Sequence, residues 1–157
     1  MEFQDKTQTV LLQHASTILA QKQRKLISIT PDLLVYEAVA LMADNDIGAL
    51  PVLENGRLAG MISERDYARK IILEGRSSRA TRVAEIMSTG ELTVPPDATI
   101  GACMELMTGK RTRHLLVLES GELKGIISIG DLVNAIMAAQ DTMIGHLSGY
   151  IASAYPQ

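Results

Sequence analysis

The sequence contains very few aromatic residues and a single cysteine. Aromatics make up 3% of the 157 residues, with one Phe and no Trp, so the chain lacks the stacking platforms that single-stranded nucleic acid requires. One cysteine provides neither a disulfide framework nor a thiolate metal cluster. We therefore expect Cys103 to be a small buried apolar residue. The core must be built from aliphatic side chains and methionine.

The sequence also lacks long apolar runs and an excess of positive charge. No run approaches the length needed to span a bilayer, because Glu37 and Asp44 interrupt the longest candidates. The chain starts with acidic residues where a secretory signal is basic. A net charge of −3 gives no general attraction to nucleic acid or anionic lipid. We expect a cytoplasmic protein that does not contact the membrane.

Motifs that typically mark an active site are missing as well. The sequence has no Gly-x-Ser-x-Gly elbow, phosphate-loop lysine motif, dinucleotide glycine-rich turn or His-x-x-x-His pair. His14, His114 and His146 are dispersed along the chain and, with one cysteine, do not form a metal-ligand set. We therefore expect no enzymatic activity and no bound metal.

The most prominent feature that is present is a motif that occurs twice. Gly60 starts the stretch Gly-Met-Ile-Ser-Glu-Arg-Asp, and Gly125 starts Gly-Ile-Ile-Ser-Ile-Gly-Asp 65 residues later. At this offset, residues 29–67 and 94–132 share fourteen identities in 39 ungapped positions. The identities fall at turns and helix starts as well as at apolar positions. This pattern indicates an internal duplication, and two similar clefts suit ligand binding better than a single reaction.

Each copy has the pattern of a strand–helix–strand–strand–helix unit. The predicted elements are Leu26–Ile29, Val35–Asn45, Leu50–Leu53, Leu58–Ile62 and a helix from Ser63 to about Leu73, then Leu92–Val94, Thr99–Lys110, His114–Leu118, Leu123–Ser128 and a helix from Asp131. Asn55-Gly56 between two strands is typical of a hairpin turn. We expect an α/β fold of two β-α-β-β-α repeats that pack through their sheets about a pseudo-twofold axis.

The chain outside the repeats is predicted to be partly helical. Residues 7–22 predict one amphipathic helix that covers an apolar surface of its own chain or of a second copy, with a membrane-surface helix as the alternative. Val83–Met87 predicts a helical turn, and the tail predicts one or two helices from its apolar spacing. The predicted organisation is an N-terminal helix and linker 1–25, a first repeat 26–75, a linker 76–91, a second repeat 92–138 and a helical tail 139–157.

Two repeats that each end in Gly-x-x-Ser-x-x-Asp resemble the tandem CBS-domain pair, or Bateman module, over roughly Leu26 to Ala138. The stretches Ser63–Lys70 and Arg113–Leu115 also resemble small stand-alone bacterial members of this family. The resemblance implies two equivalent clefts that bind adenosine nucleotides, commonly in a homodimer formed through the repeats. It also implies a sensor in signal transduction or energy sensing that acts on an unidentified effector protein.

The resemblance places the ligand ribose at Ser63 and Asp66 and at Ser128 and Asp131. Ser-x-x-Asp is also a capping box, and both interpretations can hold for the same residues, since a helix-start carboxylate can accept hydrogen bonds from two ribose hydroxyls. The resemblance places adenine in an apolar slot that would be lined by Ile29, Gly48, Ala49, Leu50 and Pro51 in the first repeat and by Val94, Arg113, His114, Leu115 and Leu116 in the second.

Basic residues for phosphate are distributed unequally between the repeats. Arg113 and His114, with Arg111 nearby, belong to the second repeat, and Arg65 belongs to the first. The counterparts of Arg111, Arg113, His114 and Arg65 at the 65-residue offset are Asp46, Gly48, Ala49 and Gly130. We therefore expect unequal clefts, with the cleft at Asp131 better suited to phosphate unless Arg65 or residues from across the interface serve the other cleft.

The expected ligand is AMP or a related adenine nucleotide (ADP, ATP or NAD). One or two phosphates suit the modest positive charge better than a highly phosphorylated ligand. Two other functions stay open on the residues alone. One is a structural homodimer or interaction scaffold without ligand, and the other is weak nucleic-acid binding through the small basic patches at residues 22–25 and 76–82.

Overall fold

The structure is a computed structural model that describes residues 2–22, 24–90 and 92–139. The chain folds into two compact units. The first-repeat unit contains the described residues from Lys25 to residue 90, with Ser120–Leu123. The second-repeat unit contains the described residues up to Arg24, the range 92–119 and the described residues from Lys124. In the described part of the chain, no helix is both long and apolar enough to cross a membrane.

The first-repeat unit has the predicted order of elements. Its helices and strands are α3 (Val35–Asn45), β1 (Ala49–Glu54), β2 (Arg57–Ser63), α4 (Glu64–Tyr67), which continues as the π-helical turn Ala68–Ile72, and α5 (Val83–Ile86). β1 and β2 pair antiparallel around a turn in which Asn55 and Gly56 have φ values of 52° and 77°, as the Asn-Gly pair predicts. The predicted strand Leu26–Ile29 is reduced to one parallel bridge between Ile29 and Val52.

The core of this unit forms where α3 packs on the two-stranded sheet. Val35, Ala38 and Met42 lie on one face of α3 at helical spacing and are buried. They belong to one cluster with Leu50 and Ile62 of the strands. The larger of these side chains each contribute roughly 1.5–3 kcal/mol on burial, so the helix and the sheet hold the end of β2 in a fixed position.

The second-repeat unit has the same order and an additional pair of helices. Its elements are α1 (Glu2–Leu11), α2 (Ala15–Gln21), β3 (Thr93–Val94), α6 (Ile100–Lys110), β4 (His114–Glu119), β5 (Glu122–Ser128) and α7 (Ile129–Ala138). The sheet order is β3-β4-β5, with β3 parallel to β4 and Val94 opposite Val117. Cys103 of α6 is buried in the core of this unit, as predicted.

The prediction of one helix over residues 7–22 is wrong, because the segment forms two helices with a break before Ala15. The break lets the backbone pair with the start of α6. The Gln13 carbonyl accepts from Ile100 N (2.8 Å), and Ala15 N donates to the Ala98 carbonyl (2.7 Å). These bonds offset the helical bonds that are lost at the break. Ala15 and Ile18 are buried in the core of the second-repeat unit, which confirms that the segment covers an apolar surface of its own chain.

The remaining predicted helices differ in smaller ways. The helix from Ser63 starts as predicted but changes to π-helical geometry at Ala68. The last helix begins at Ile129, two residues before the predicted Asp131, with Ser128 as its N-cap. The predicted tail helix, with apolar positions Met143, Leu147, Tyr150, Ile151 and Ala154, and His146 lie outside the described residues.

Candidate functional site

Ser128 and Asp131 hold each other at the junction of β5 and α7. Asp131 N donates to Ser128 Oγ (3.1 Å), and Ser128 N donates to Asp131 Oδ2 (2.8 Å). These reciprocal bonds form a capping box. They fix the Asp131 carboxylate at the helix start, where 14% of its side chain is exposed. The carboxylate is thus immobilised but reachable from solvent.

Ser63 and Asp66 have the same arrangement between β2 and α4. Asp66 Oδ2 accepts from Ser63 N (2.9 Å) and from Ser63 Oγ (3.0 Å), and Asp66 Oδ1 accepts from Ser88 Oγ (3.1 Å). The Asp66 side chain is 12% exposed. The capping-box interpretation is therefore confirmed for both motifs. It does not exclude ligand binding, since a carboxylate has about four acceptor positions.

Each carboxylate also pairs with a lysine that bonds a backbone carbonyl. Lys22 Nζ lies 2.8 Å from Asp131 Oδ2 and 2.9 Å from the Ile126 carbonyl oxygen. Lys70 Nζ lies 3.2 Å from Asp66 Oδ1 and 2.8 Å from the Ile86 carbonyl oxygen. Sequence reasoning missed both pairs. Lys22 is far from Asp131 in the chain and belongs to no motif, whereas the spacing of Asp66 and Lys70 along one helix is a signal that could have found the second pair.

The structure brings the first strand and the start of the second strand together in each unit. Ile29 N donates to the Pro51 carbonyl (3.1 Å), and Leu116 N donates to the Leu92 carbonyl (3.1 Å). Ile29 and Val94 are 6% and 7% exposed. The other predicted apolar site residues, Ala49, Leu50, Pro51, Leu115 and Leu116, are buried too. The side chains at these positions therefore form core, and a ligand could meet mainly backbone atoms and the partly exposed edge.

A backbone hydrogen bond links each predicted adenine slot to its Ser-x-x-Asp motif. Glu64 N donates to the Gly48 carbonyl (3.0 Å), and Ile129 N donates to the Arg113 carbonyl (2.9 Å). The residue before β1 or β4 therefore lies beside the first residue of the following helix. We call the resulting sets the Asp66 site (Ile29, 48–51, Ser63 and Asp66) and the Asp131 site (Val94, 113–116, Ser128 and Asp131).

Several charges meet at His114 in the Asp131 site. Burial lowers the pKa of His114, and the positive charges of Lys22 and Arg113 lower it further, while the Asp131 carboxylate acts in the opposite direction. The imidazole is therefore neutral at pH 7, beside two cations and one anion. Such a local excess of positive charge attracts anions.

The Asp66 site differs in charge. Gly48 and Ala49 stand where the Asp131 site has Arg113 and His114, so Lys70 and Asp66 leave no excess charge between them. Arg65 is exposed in the first turn of α4. Arg111 is also exposed and ends α6 with a φ of 52°, the position that Asp46 occupies at the end of α3.

Another segment passes over Gly60 and over Gly125 and leaves little room for a side chain at either position. A Cβ on Gly60 would lie 2.7 Å from the Ser88 carbonyl oxygen, and a Cβ on Gly125 would lie 2.6 Å from Leu19 Cδ2. Both distances are shorter than a van der Waals contact. We call these covering segments the first arm (residues 13–22) and the second arm (residues 81–88).

The two arms make corresponding backbone contacts. Ser16 N donates to the Pro96 carbonyl in one unit, and Ala84 N donates to the Pro31 carbonyl in the other, both at 2.9 Å. The duplication therefore extends to the segment that precedes each repeat. The alignment of the two repeats with each other did not reveal the duplicated arm, because these contacts use main-chain atoms, which leave little constraint on residue type.

Comparison with known proteins agrees with this architecture. A family model of the CBS domain matches residues 20–73 and again residues 83–138. A solved protein with CBS domains from Burkholderia ambifaria is 46% identical with a TM-score of 0.79, and the match covers 82% of this chain and 97% of that one.

Two curated plant proteins are similar over most of this chain. The Arabidopsis thaliana mitochondrial CBS domain-containing protein CBSX3 is 41% identical over 80% of this chain and 64% of its own length. The SNF1-related protein kinase regulatory subunit gamma-1-like of Arabidopsis is 28% identical over 80% of this chain and 32% of its own length. The chain thus spans less than two thirds of either protein. Two family matches in the duplicated ranges, on the predicted fold, show that this chain belongs to the CBS-domain family as a tandem pair.

Proposed function

We propose that this chain is a regulatory module that binds an adenine nucleotide and reports its presence through a change in conformation or in dimer geometry. The observation that carries the proposal is the pair of immobilised carboxylates, Asp66 and Asp131, each about one-eighth exposed at the start of a helix. The similarity to a kinase regulatory subunit supports a regulatory role.

The chemistry of ribose recognition supports the choice of ligand. Neighbouring hydroxyls at C2′ and C3′ are both donors, and one carboxylate can accept from both. A carboxylate that is already oriented by Ser N–H groups loses little conformational entropy when it binds. In the Asp131 site, the exposed Arg113 side chain offers charged donors to phosphate oxygens.

The charge difference supports unequal affinities of the two sites. Lys22 and Arg113 outweigh Asp131 in one site, whereas in the other site Lys70 and Arg65 are balanced by Asp66 and Glu64. We expect the Asp131 site to bind AMP, ADP or NAD more tightly than the Asp66 site. Equal affinities of the two sites for AMP would contradict this part of the proposal.

Thermal unfolding with AMP, ADP, ATP, NAD and S-adenosylmethionine tests the proposal. A ligand at about a hundred times its dissociation constant adds roughly 2.7 kcal/mol, which raises the melting temperature by several degrees. Asp131→Asn should remove most of the shift, because the amide keeps the capping acceptor but loses the charge. Asp97→Asn, at an exposed carboxylate outside both sites, is the matched control and should keep the shift. No shift with any of the five compounds would contradict the proposal.

A homodimeric scaffold is the second candidate, and exposed apolar side chains favour it. Leu73 and Ile72 are 79% and 59% exposed after α4, and Ile129 and Val133 of α7 are 37% and 38% exposed. Burial of these side chains in a second copy would remove apolar area from water. Sedimentation should give a dimer that Leu73→Glu weakens. A dimer without any nucleotide-induced shift would favour the scaffold over the sensor.

A further inference from the structure

Lys22 reaches the Asp131 site from the first arm. Its Nζ donates to Asp131 Oδ2 and to the Ile126 carbonyl, at 2.8 and 2.9 Å. A quarter of the lysine side chain is exposed, so the ammonium group lies within the site rather than in bulk solvent. The arm that carries it is fixed by the buried residues Ala15 and Ile18.

The second arm contacts the corresponding position of its unit through a backbone amide rather than through a lysine side chain. Ser88 N donates to the Met61 carbonyl at 2.9 Å, which is the position that corresponds to the Ile126 carbonyl in the duplication. A backbone amide therefore does in one unit what a lysine ammonium does in the other. Lys70, which pairs with Asp66, belongs to the same helical segment as that carboxylate, whereas the Asp131 site receives its lysine from the arm.

A ligand that uses Asp131 must compete with this ammonium group. A charge-assisted pair with additional hydrogen bonds is stronger than a neutral hydrogen bond, so a diol that displaces Lys22 loses part of its binding free energy. The displaced ammonium stays attached to the arm, close to Arg113 and His114. There it can pair with a phosphate group, which restores the loss.

We propose that Lys22 is a specificity-determining residue of the Asp131 site, which rests on the proposed function. Its pairing with Asp131 opposes binding of an unphosphorylated nucleoside, and its release favours a nucleotide. The site therefore responds to adenosine monophosphate and rejects adenosine, although both carry the same base and the same diol.

The charges that act on one another in the site support this assignment. Lys22 and Arg113 both lower the pKa of the His114 imidazole, whereas Asp131 raises it. All three charges are therefore close enough to His114 to act on it. Once the ribose is bound to the Asp131 carboxylate, the phosphate of the same nucleotide is close to two cations, Lys22 and Arg113. In the Asp66 site, the neutral Gly48 and Ala49 occupy the corresponding positions, and the lysine that pairs with the carboxylate is Lys70.

Calorimetric titration of adenosine and of AMP in an Asp66→Asn background, which leaves one complete site, tests the proposal. Lys22→Met should strengthen adenosine binding and weaken AMP binding. The dissociation constant of adenosine divided by that of AMP should fall by about tenfold, which corresponds to roughly 1.4 kcal/mol. Lys22→Arg should restore most of the ratio. Lys25→Met removes an exposed lysine of equal charge three residues away and should leave the ratio unchanged.

The outcomes separate this inference from the proposed function. An unchanged ratio, or an equal loss for both compounds, would overturn the role of Lys22 while nucleotide binding stands. Failure of both compounds to bind the Asp66→Asn protein and the unsubstituted chain would overturn the proposed function and this inference with it. A melting temperature measured for each variant shows whether a loss of binding follows from a loss of structure.

Discussion

Alanine at Gly60 should destabilise the chain far more than alanine at its duplicated counterpart Gly125. A Cβ at residue 60 would lie 2.7 Å from the Ser88 carbonyl oxygen and 2.9 Å from Met87 Sδ. The Ser88 backbone exchanges two hydrogen bonds with Met61, at 3.0 and 2.9 Å. Overpacking costs about 1–3 kcal/mol, and a weakened hydrogen-bond pair adds about 1 kcal/mol for each bond. The smaller unfolded-state entropy of alanine offsets about 0.4–1 kcal/mol. We expect a net loss of about 3 kcal/mol.

At Gly125 the obstructing atoms belong to the end of a leucine side chain. Leu19 Cδ2 and Cδ1 would lie 2.6 and 3.0 Å from the new Cβ. A rotamer change of this partly exposed side chain costs of order 0.5–1.5 kcal/mol, which the alanine entropy term nearly offsets. The expected loss is therefore below about 1 kcal/mol. Leu19→Ala should rescue Gly125→Ala.

Urea unfolding of both variants measures the difference. The free energies from linear extrapolation should differ by about 2 kcal/mol, and Met87→Ala should not rescue Gly60→Ala because the Ser88 carbonyl stays in place. Equal losses at the two glycines, or full rescue by Met87→Ala, would refute the assignment of the backbone of the second arm as the obstacle.

Three further predictions follow from individual side chains. The pKa of His114 is lowered in the folded chain by burial, Lys22 and Arg113. The unfolded chain therefore binds the proton more readily, and the free energy of unfolding falls as the pH drops below about 6.5. His114→Gln should flatten this part of the curve of unfolding free energy against pH. Burial raises the pKa of the Cys103 thiol, and native protein should react with a thiol reagent at least about a hundredfold more slowly than protein in urea; equal rates would contradict a buried thiol. Ser88→Ala removes a donor to Asp66 Oδ1 and should cost about 1 kcal/mol in urea unfolding, whereas the exposed neighbour Thr89 should tolerate alanine.

Periodicity and turn chemistry predicted most of the repeat architecture. Val35–Asn45 was predicted with its observed bounds, because apolar residues recur at helical spacing and the segment is flanked by turns. The Ser128-to-Asp131 spacing predicted a capped helix start, since that geometry depends on residues only three positions apart. Local patterns of this kind carry their own structural information.

Features that depend on distant contacts were not predictable from local pattern. The break before Ala15 follows from backbone pairing with residues near Thr99, and nothing in residues 7–22 indicates that partner. The Lys22–Asp131 pair is also invisible in the sequence, because two charged residues more than a hundred positions apart carry no pattern. The π-helical turn after Tyr67 is similar, since the same residues suit a continuous α-helix.

A crystal structure of the chain with AMP would show directly whether Asp131 binds the ribose of an adenine nucleotide. We expect both ribose hydroxyls to lie within about 2.5–2.7 Å of Asp131 carboxylate oxygens, with Lys22 Nζ moved from the carboxylate to the phosphate. A structure at saturating AMP in which the nucleotide lies elsewhere, or in which Asp131 contacts only Ser128 and Lys22 as before, would contradict this binding mode.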